Sequence, residues 1–236
     1  MSCALVLSHV AVEGLGRLQQ WLPAAGLELD VLPVYAGAAV PTRLPAGNDA
    51  LVVMGGSPNV DDGHEWLDRE MTLVRSCVRA GVPVMGICLG AQVLAAACGG
   101  VVTRGASGPE VGAGRIHLRP PAAADPLFAG MAEIVEAVQW HWYGVERLPP
   151  GASWLATSPA YPHQAFRLGA RAWGLQFHPE TPPHQVEQWT DEDMVPIRAA
   201  GLDPEVVRVE GVALAALMEA TWRPFFERFA AVVSAA

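Results

Sequence analysis

Residues 84–92 read Val84-Met85-Gly86-Ile87-Cys88-Leu89-Gly90-Ala91-Gln92. With Val82-Pro83 ahead of it, the first half is an apolar strand over 82–87. The second half opens a helix over Gly90–Cys98, which Gly99-Gly100 stops. Strand passes into helix almost without a loop. Gly86 and Gly90 flank the turn because side chains there would collide as the chain folds back. A strand with no polar alternation is covered on both faces, which is the situation of a parallel strand between two helix layers.

Upstream, the same signal recurs. Residues 4–10 (ALVLSHV), 28–35 (ELDVLPVY) and 50–54 (ALVVM) read as apolar strands. Residues 14–25 carry Leu15, Leu18 and Leu22 at helical spacing, and 64–80 carry Leu67, Met71, Val74 and Val78 on one helical face. The fold class is α/β: a doubly wound, mostly parallel sheet flanked by helices. Downstream of residue 100 the segments shorten to 101–104, 115–119, 133–140, 153–157, 164–168 and 171–177. They predict a small antiparallel addition. After Pro182-Pro183, residues 184–200 and 204–234 read as helices, with Leu214, Leu217, Met218 and Phe225 on or near one face. Two segments follow: an α/β core over 1–180, and a C-terminal helical extension over 181–236 packed on the same domain.

Composition narrows the chemistry. The chain has 236 residues, 51% apolar and 17% charged, with a net charge of −9. All 15 basic residues are Arg, so no Schiff-base lysine and no phosphate-loop lysine exists. An acidic chain with scattered Arg argues against binding driven by nucleic-acid phosphates. No run approaches 18 apolar residues and the N-terminus lacks a charged leader, so neither a membrane span nor a signal peptide is expected. Cys3, Cys77, Cys88 and Cys98 form no C-x-x-C pair, and a reducing, cytoplasmic compartment is expected. Cys3, Cys77 and Cys98 read as core thiols. No His/Cys/Asp cluster has ligand spacing, so neither metal nor cofactor is expected.

Cys88 reads differently. Gly86-x-Cys88-x-Gly90 has the form of a nucleophile elbow with Cys in place of Ser. The turn lifts the sulfur out at the carboxyl edge of the sheet, at a helix N-terminus that favours thiolate. A base is available in Gln176-Phe177-His178-Pro179-Glu180: the strand delivers His178, and Glu180 turns back to orient it. The strand over 50–54 runs into Gly55-Gly56-Ser57-Pro58, whose glycine pair lets backbone N–H groups approach a ligand. His9, His64, His117, His163 and His184 read as structural or surface histidines.

Gly-Ile-Cys-Leu-Gly-Ala-Gln (86–92), Gln-Phe-His-Pro-Glu (176–180) and Gly-Gly-Ser-Pro (55–58) together resemble the signatures of the class I (triad) glutamine amidotransferases. The stretch 139–156 is similar to stand-alone members related to the amidotransferase domain of guanylate synthetase. The resemblance implies a flavodoxin-like core and a cysteine amide hydrolase acting on glutamine or another γ-glutamyl compound. It implies that Cys88 attacks the carboxamide, that His178 and Glu180 complete the triad, and that the N–H groups of Gly56 and Leu89 hold the oxyanion. It further implies substrate contacts at Gln92, Gly55 and Ser57. In the segment His141-Trp142-Tyr143, related members usually carry an acidic residue shortly after the His, and none stands here. Two alternatives stay open: a glutaminase subunit handing ammonia to a separate ATP-dependent synthetase, and a non-catalytic binding or regulatory protein on the same fold.

Overall fold

The computed structural model describes residues 2–11 and 14–236. The first half runs β1 (Ser2–Ser8), α1 (Leu18–Ala24), β2 (Leu27–Pro33), β3 (Ala50–Val53), α2 (Glu65–Ala80), β4 (Val84–Ile87) and α3 (Leu89–Ala97). Seven strands follow: β5 (Val101–Arg104), β6 (Glu110–Leu118), β7 (Ile134–His141), β8 (Tyr143–Arg147), β9 (Ser153–Thr157), β10 (Ala165–Leu168) and β11 (Ala172–Leu175). Four helices end the chain: α4 (Pro183–Glu192), α5 (Met194–Ala199), α6 (Pro204–Leu217) and α7 (Glu219–Ser234).

Nine strands form one sheet in the order β2-β1-β3-β4-β11-β10-β9-β6-β7. The first five are parallel to their neighbours, and from β11 outward every pairing is antiparallel. β5 and β8 make a separate two-stranded sheet. Alternation along the parallel strands divides the interior into two cores. Val6, Val52, Met85 and Ile87 face α1 and α7, whereas Leu5, Leu7, Leu51, Val53 and Val84 face α2 and α3. The inner strands β1, β3, β4 and β11 are thus covered on both faces, which is why they carry so little polar alternation, whereas the edge strand β2 exposes Glu28 and Asp30.

The C-terminal helices share the first core. Trp222, Phe225, Phe226 and Phe229 of α7 are fully buried, and the Trp222 indole donates to the Glu136 carbonyl of β7 at 2.9 Å.

Several sequence expectations need correction. The helix expected over 14–25 begins only at Leu18, because Gly14 and Gly16 hold positive φ and cannot start a right-handed helix. β8 escaped the reading, since Tyr-Gly-Val-Glu-Arg has no apolar run. The helix expected over 184–200 is two. Pro196 has no N–H to offer the Glu192 carbonyl four residues back, so α4 stops at Glu192 and α5 restarts at Met194. The helix expected over 204–234 breaks at Met218, just ahead of Pro224. Met218 and Phe225 are buried and Leu214 packs against the core, but Leu217 lies off that stripe and is 74% exposed.

Candidate active site

Three neighbouring strands bring the motifs together. Val53 of β3 pairs with Gly86 of β4, and Ile87 of β4 pairs with Leu175 of β11. The carboxyl ends of β3, β4 and β11 therefore lie side by side. Residues 54–57, Cys88 and 176–180 leave the sheet at one edge. In open α/β sheets that edge is where ligands bind.

Cys88 has φ 50° and ψ −107°, and it is the one non-glycine residue with positive φ among the described residues. Such a conformation persists only where the surroundings impose it. Here they do: a Cβ on Gly86 would overlap the backbone of Gly90, and one on Gly90 would overlap that of Val53. Leu89 opens α3 with an N–H that helix geometry leaves unpaired. A Cβ on Gly56 would lie 2.7 Å from His9 Cβ and 3.1 Å from Leu89 Cδ2, so the Gly56 backbone sits directly beside Leu89.

His178 is pinned from the far side of the sheet. Its N–H donates to the Val138 carbonyl of β7 at 2.8 Å, so the antiparallel strands curl back to meet it. Its Nδ1 lies 2.9 Å from Glu180 Oε1, and its ring packs edge-on against Trp189 with centroids 4.9 Å apart. Both His178 and Glu180 are 3% exposed. Burial works against a charged imidazole, but the Glu180 carboxylate and Cys88, acting as charge and hydrogen-bond partner, outweigh it. They raise His178 well above its ordinary value. The Cys88 sulfur also lies 3.9 Å from the Trp140 carbonyl and 3.7 Å from Gln176 Nε2.

A cavity of about 340 Å³ opens over this group, lined among others by Gly56, Ser57, Cys88, Gln92, Trp140 and Tyr143. Gln92 reaches it, but its Nε2 is already engaged by the Tyr143 carbonyl at 3.1 Å and by Gln176 Oε1 at 3.3 Å. Gly55 is buried beneath the rim, with its carbonyl 3.2 Å from His9 Nδ1 rather than on the cavity wall. His141 is on the wall, and burial pushes its pKa down more than Glu110 can offset. A groove of about 630 Å³ between β7 and helices α6 and α7 contains none of these groups.

One residue pair under the site was not legible beforehand. His9 Nε2 lies 2.8 Å from Glu70 Oε2, both side chains fully buried, and His9 Nδ1 faces the carbonyls of Met54 and Gly55 at 3.2 Å. The pair ties α2 to the loop that carries Gly56. The available signal was Glu70 itself, an acid beside the apolar face of α2. Burial opposes charge on His9, but Glu70 and the two carbonyls outweigh it and raise its pKa above 6.5. An imidazole raised in the folded state stabilises fully below its unfolded value of about 6.5 and loses that contribution as pH climbs through the folded value. Glu70→Gln should therefore cost most stability near pH 6, with the penalty shrinking toward pH 9. Thermal unfolding of both proteins across that range checks it, and a penalty independent of pH would show that His9 carries no charge.

A family model, Glutamine amidotransferase class-I, matches residues 17–191. The glutamine amidotransferase-like protein YfeJ of Salmonella typhimurium is 30% identical over 184 residues, covering 76% of each chain. The GMP synthase [glutamine-hydrolyzing] of Parafrankia sp. is 36% identical over 145 residues, which is 61% of this chain and 25% of that protein. This chain thus spans about a quarter of the length of the GMP synthases it matches. Among solved structures, a glutamine amidotransferase from Thermotoga maritima superposes with a TM-score of 0.85 at 25% identity, covering 97% of this chain and 98% of that one. One from Methylobacillus flagellatus gives 0.81 at 29% identity, covering 98% and 92%.

Proposed function

The chain belongs to the class-I glutamine amidotransferases, and on that premise we propose that it is a cysteine-dependent hydrolase of glutamine or another γ-glutamyl amide. The observation that carries this reading is His178, held between Cys88 and Glu180 and raised by both. The imidazole is thereby placed to take the Cys88 proton as the sulfur attacks, leaving sulfur as the nucleophile.

The steps follow from these atoms. The Cys88 sulfur bonds to the γ-carbonyl carbon, and the carbonyl electron pair moves to oxygen. The N–H groups of Gly56, whose residue packs beside the Leu89 side chain, and of Leu89, at the start of α3, would receive that oxyanion. His178 gives its proton to the leaving nitrogen, the C–N bond breaks, and ammonia or an amine departs from a γ-glutamyl thioester. Water then enters, His178 takes its proton, and the attack releases glutamate and the Cys88 sulfur. Glu180 keeps the imidazole oriented and its cation stabilised throughout.

A second reading is favoured by the match to the amidotransferase portion of GMP synthases: the ammonia passes to a separate ATP-dependent synthetase. One substrate screen separates the two. Purified protein is offered glutamine, γ-glutamyl peptides and γ-glutamyl amines, with and without ATP and Mg²⁺, while glutamate and ammonia are followed. A self-sufficient hydrolase turns over one of these at about 1 per second or faster, indifferent to ATP. A synthetase subunit is sluggish alone and accelerates when its ATP-using partner docks. Absence of any γ-glutamyl hydrolysis under both conditions would leave the non-catalytic alternative standing.

A further inference from the structure

Any γ-glutamyl substrate carries an α-ammonium and an α-carboxylate three carbons from the carbonyl under attack. Burying that end of the molecule in a cavity requires groups of opposite charge on its walls. The wall residues that carry formal charge are Arg104, Glu192 and Asp193. They form one cation and two acids, in a cavity otherwise walled by aromatic and small residues.

The two acids are not equivalent. Glu192 is exposed on α4, and its Oε1 accepts from Gln188 Nε2 at 3.2 Å along the same helix. Asp193 stands at the α4–α5 junction that Pro196 enforces, and it is partly buried. Its Oδ2 accepts from the Trp140 indole at 2.7 Å, a charge-assisted bond that fixes the carboxylate and leaves Oδ1 to a ligand. Trp140 also offers its backbone carbonyl to the Cys88 sulfur, at 3.9 Å. One residue therefore spans from the nucleophile to the acid, and an indole is about as long as the glutamyl chain that must lie beside it. Arg104, the last residue of β5, stands on the same wall with an exposed guanidinium.

We propose that Asp193 is the specificity-determining residue that receives the substrate's α-ammonium, with Arg104 receiving the α-carboxylate. The assignment rests on the hydrolase reading above. It means that the residue selecting for the α-ammonium comes from beyond residue 180, and that both residues lie outside the three motifs. Tyr143, on the same wall, offers no carboxylate.

The test compares two substrates: the γ-glutamyl amide that the protein hydrolyses best, and the matching glutaric acid monoamide, which lacks only the α-amino group. The wild-type protein should prefer the γ-glutamyl compound. Asp193→Asn should raise its KM by about 10-fold to 100-fold with kcat little changed, and should barely alter the deamino compound. Trp140→Phe removes the indole bond but keeps the carboxylate, so it should retain the preference even if overall activity falls. Equal losses on both substrates in Asp193→Asn would overturn the assignment by making Asp193 a structural residue. Loss of preference in Trp140→Phe as complete as in Asp193→Asn would do the same. A wild-type enzyme that hydrolyses both compounds equally defeats this inference alone, whereas one that hydrolyses no γ-glutamyl compound defeats the hydrolase reading beneath it.

Discussion

Cys88→Ala should abolish hydrolysis and leave the fold intact. On the proposed hydrolase reading the lost atom is the nucleophile, and no neighbouring thiol lines the cavity to replace it. The elbow itself is imposed by Gly86, Gly90 and Val53, so alanine inherits the same φ of 50°. The unfolding midpoint should shift by only a few degrees, as for a change of about 1 kcal/mol. A glutamine-analogue chloroketone or diazoketone should label Cys88 and no other thiol quickly. Burial pushes Cys77 up to about 11 and also raises Cys98 and Cys3, so those three react slowly. Cys77→Ala should instead destabilise without touching turnover, because it opens space between α2 and the sheet. His178→Ala should cost on the order of 10³-fold in kcat, and Glu180→Gln less, since it orients and stabilises but transfers no proton. A faster label on Cys77 than on Cys88, or a Glu180→Gln enzyme worse than His178→Ala, would contradict these roles.

What made the centre of this site legible was local chemistry. Gly86, Gly90 and the apolar run before them follow from steric demands that operate within a few residues. The same holds for Gly55-Gly56 at the end of β3 and for the two-residue spacing of His178 and Glu180. The features that escaped depend on distant pairings. His9 and Glu70 are 61 positions apart, and Trp140 and Asp193 are 53 apart. Glu70, an acid beside the apolar face of α2, signals only that some partner is needed, and nothing near these residues says which partner it is. β8 escaped for a related reason: Tyr143-Gly144-Val145-Glu146-Arg147 has little intrinsic strand character, and its place is set by pairing with β5 and by Tyr161 packing over Gly144. The sheet edge that curls back to His178 likewise exists only as a long-range bridge, from Val138.

Removing residues 181–236 should give a chain that does not fold to a native state. Trp222, Phe225, Phe226 and Phe229 are fully buried, and they meet Phe177, Trp21, Phe128 and Trp173 from the core that precedes them. Truncating one buried Phe or Trp to Ala costs about 3–5 kcal/mol. Total stability is only about 5–15 kcal/mol for a domain. Four such losses, about 12–20 kcal/mol, match or exceed it, even before Trp189 and Val186 of α4 are counted. The truncated chain should therefore be insoluble or bind a hydrophobic dye in the manner of a molten globule. Phe226→Ala, a milder change far from Cys88, should lower the unfolding midpoint by about 10 °C or more while preserving kcat at temperatures where it stays folded. A soluble, cooperatively unfolding truncation would overturn the packing argument and make the extension a separable module. Even that protein should be a poor enzyme. Trp189 forms the wall against the His178 ring and Asp193 lines the cavity over Cys88, so α7 packs the sheet while α4 and its junction with α5 supply part of the site's wall.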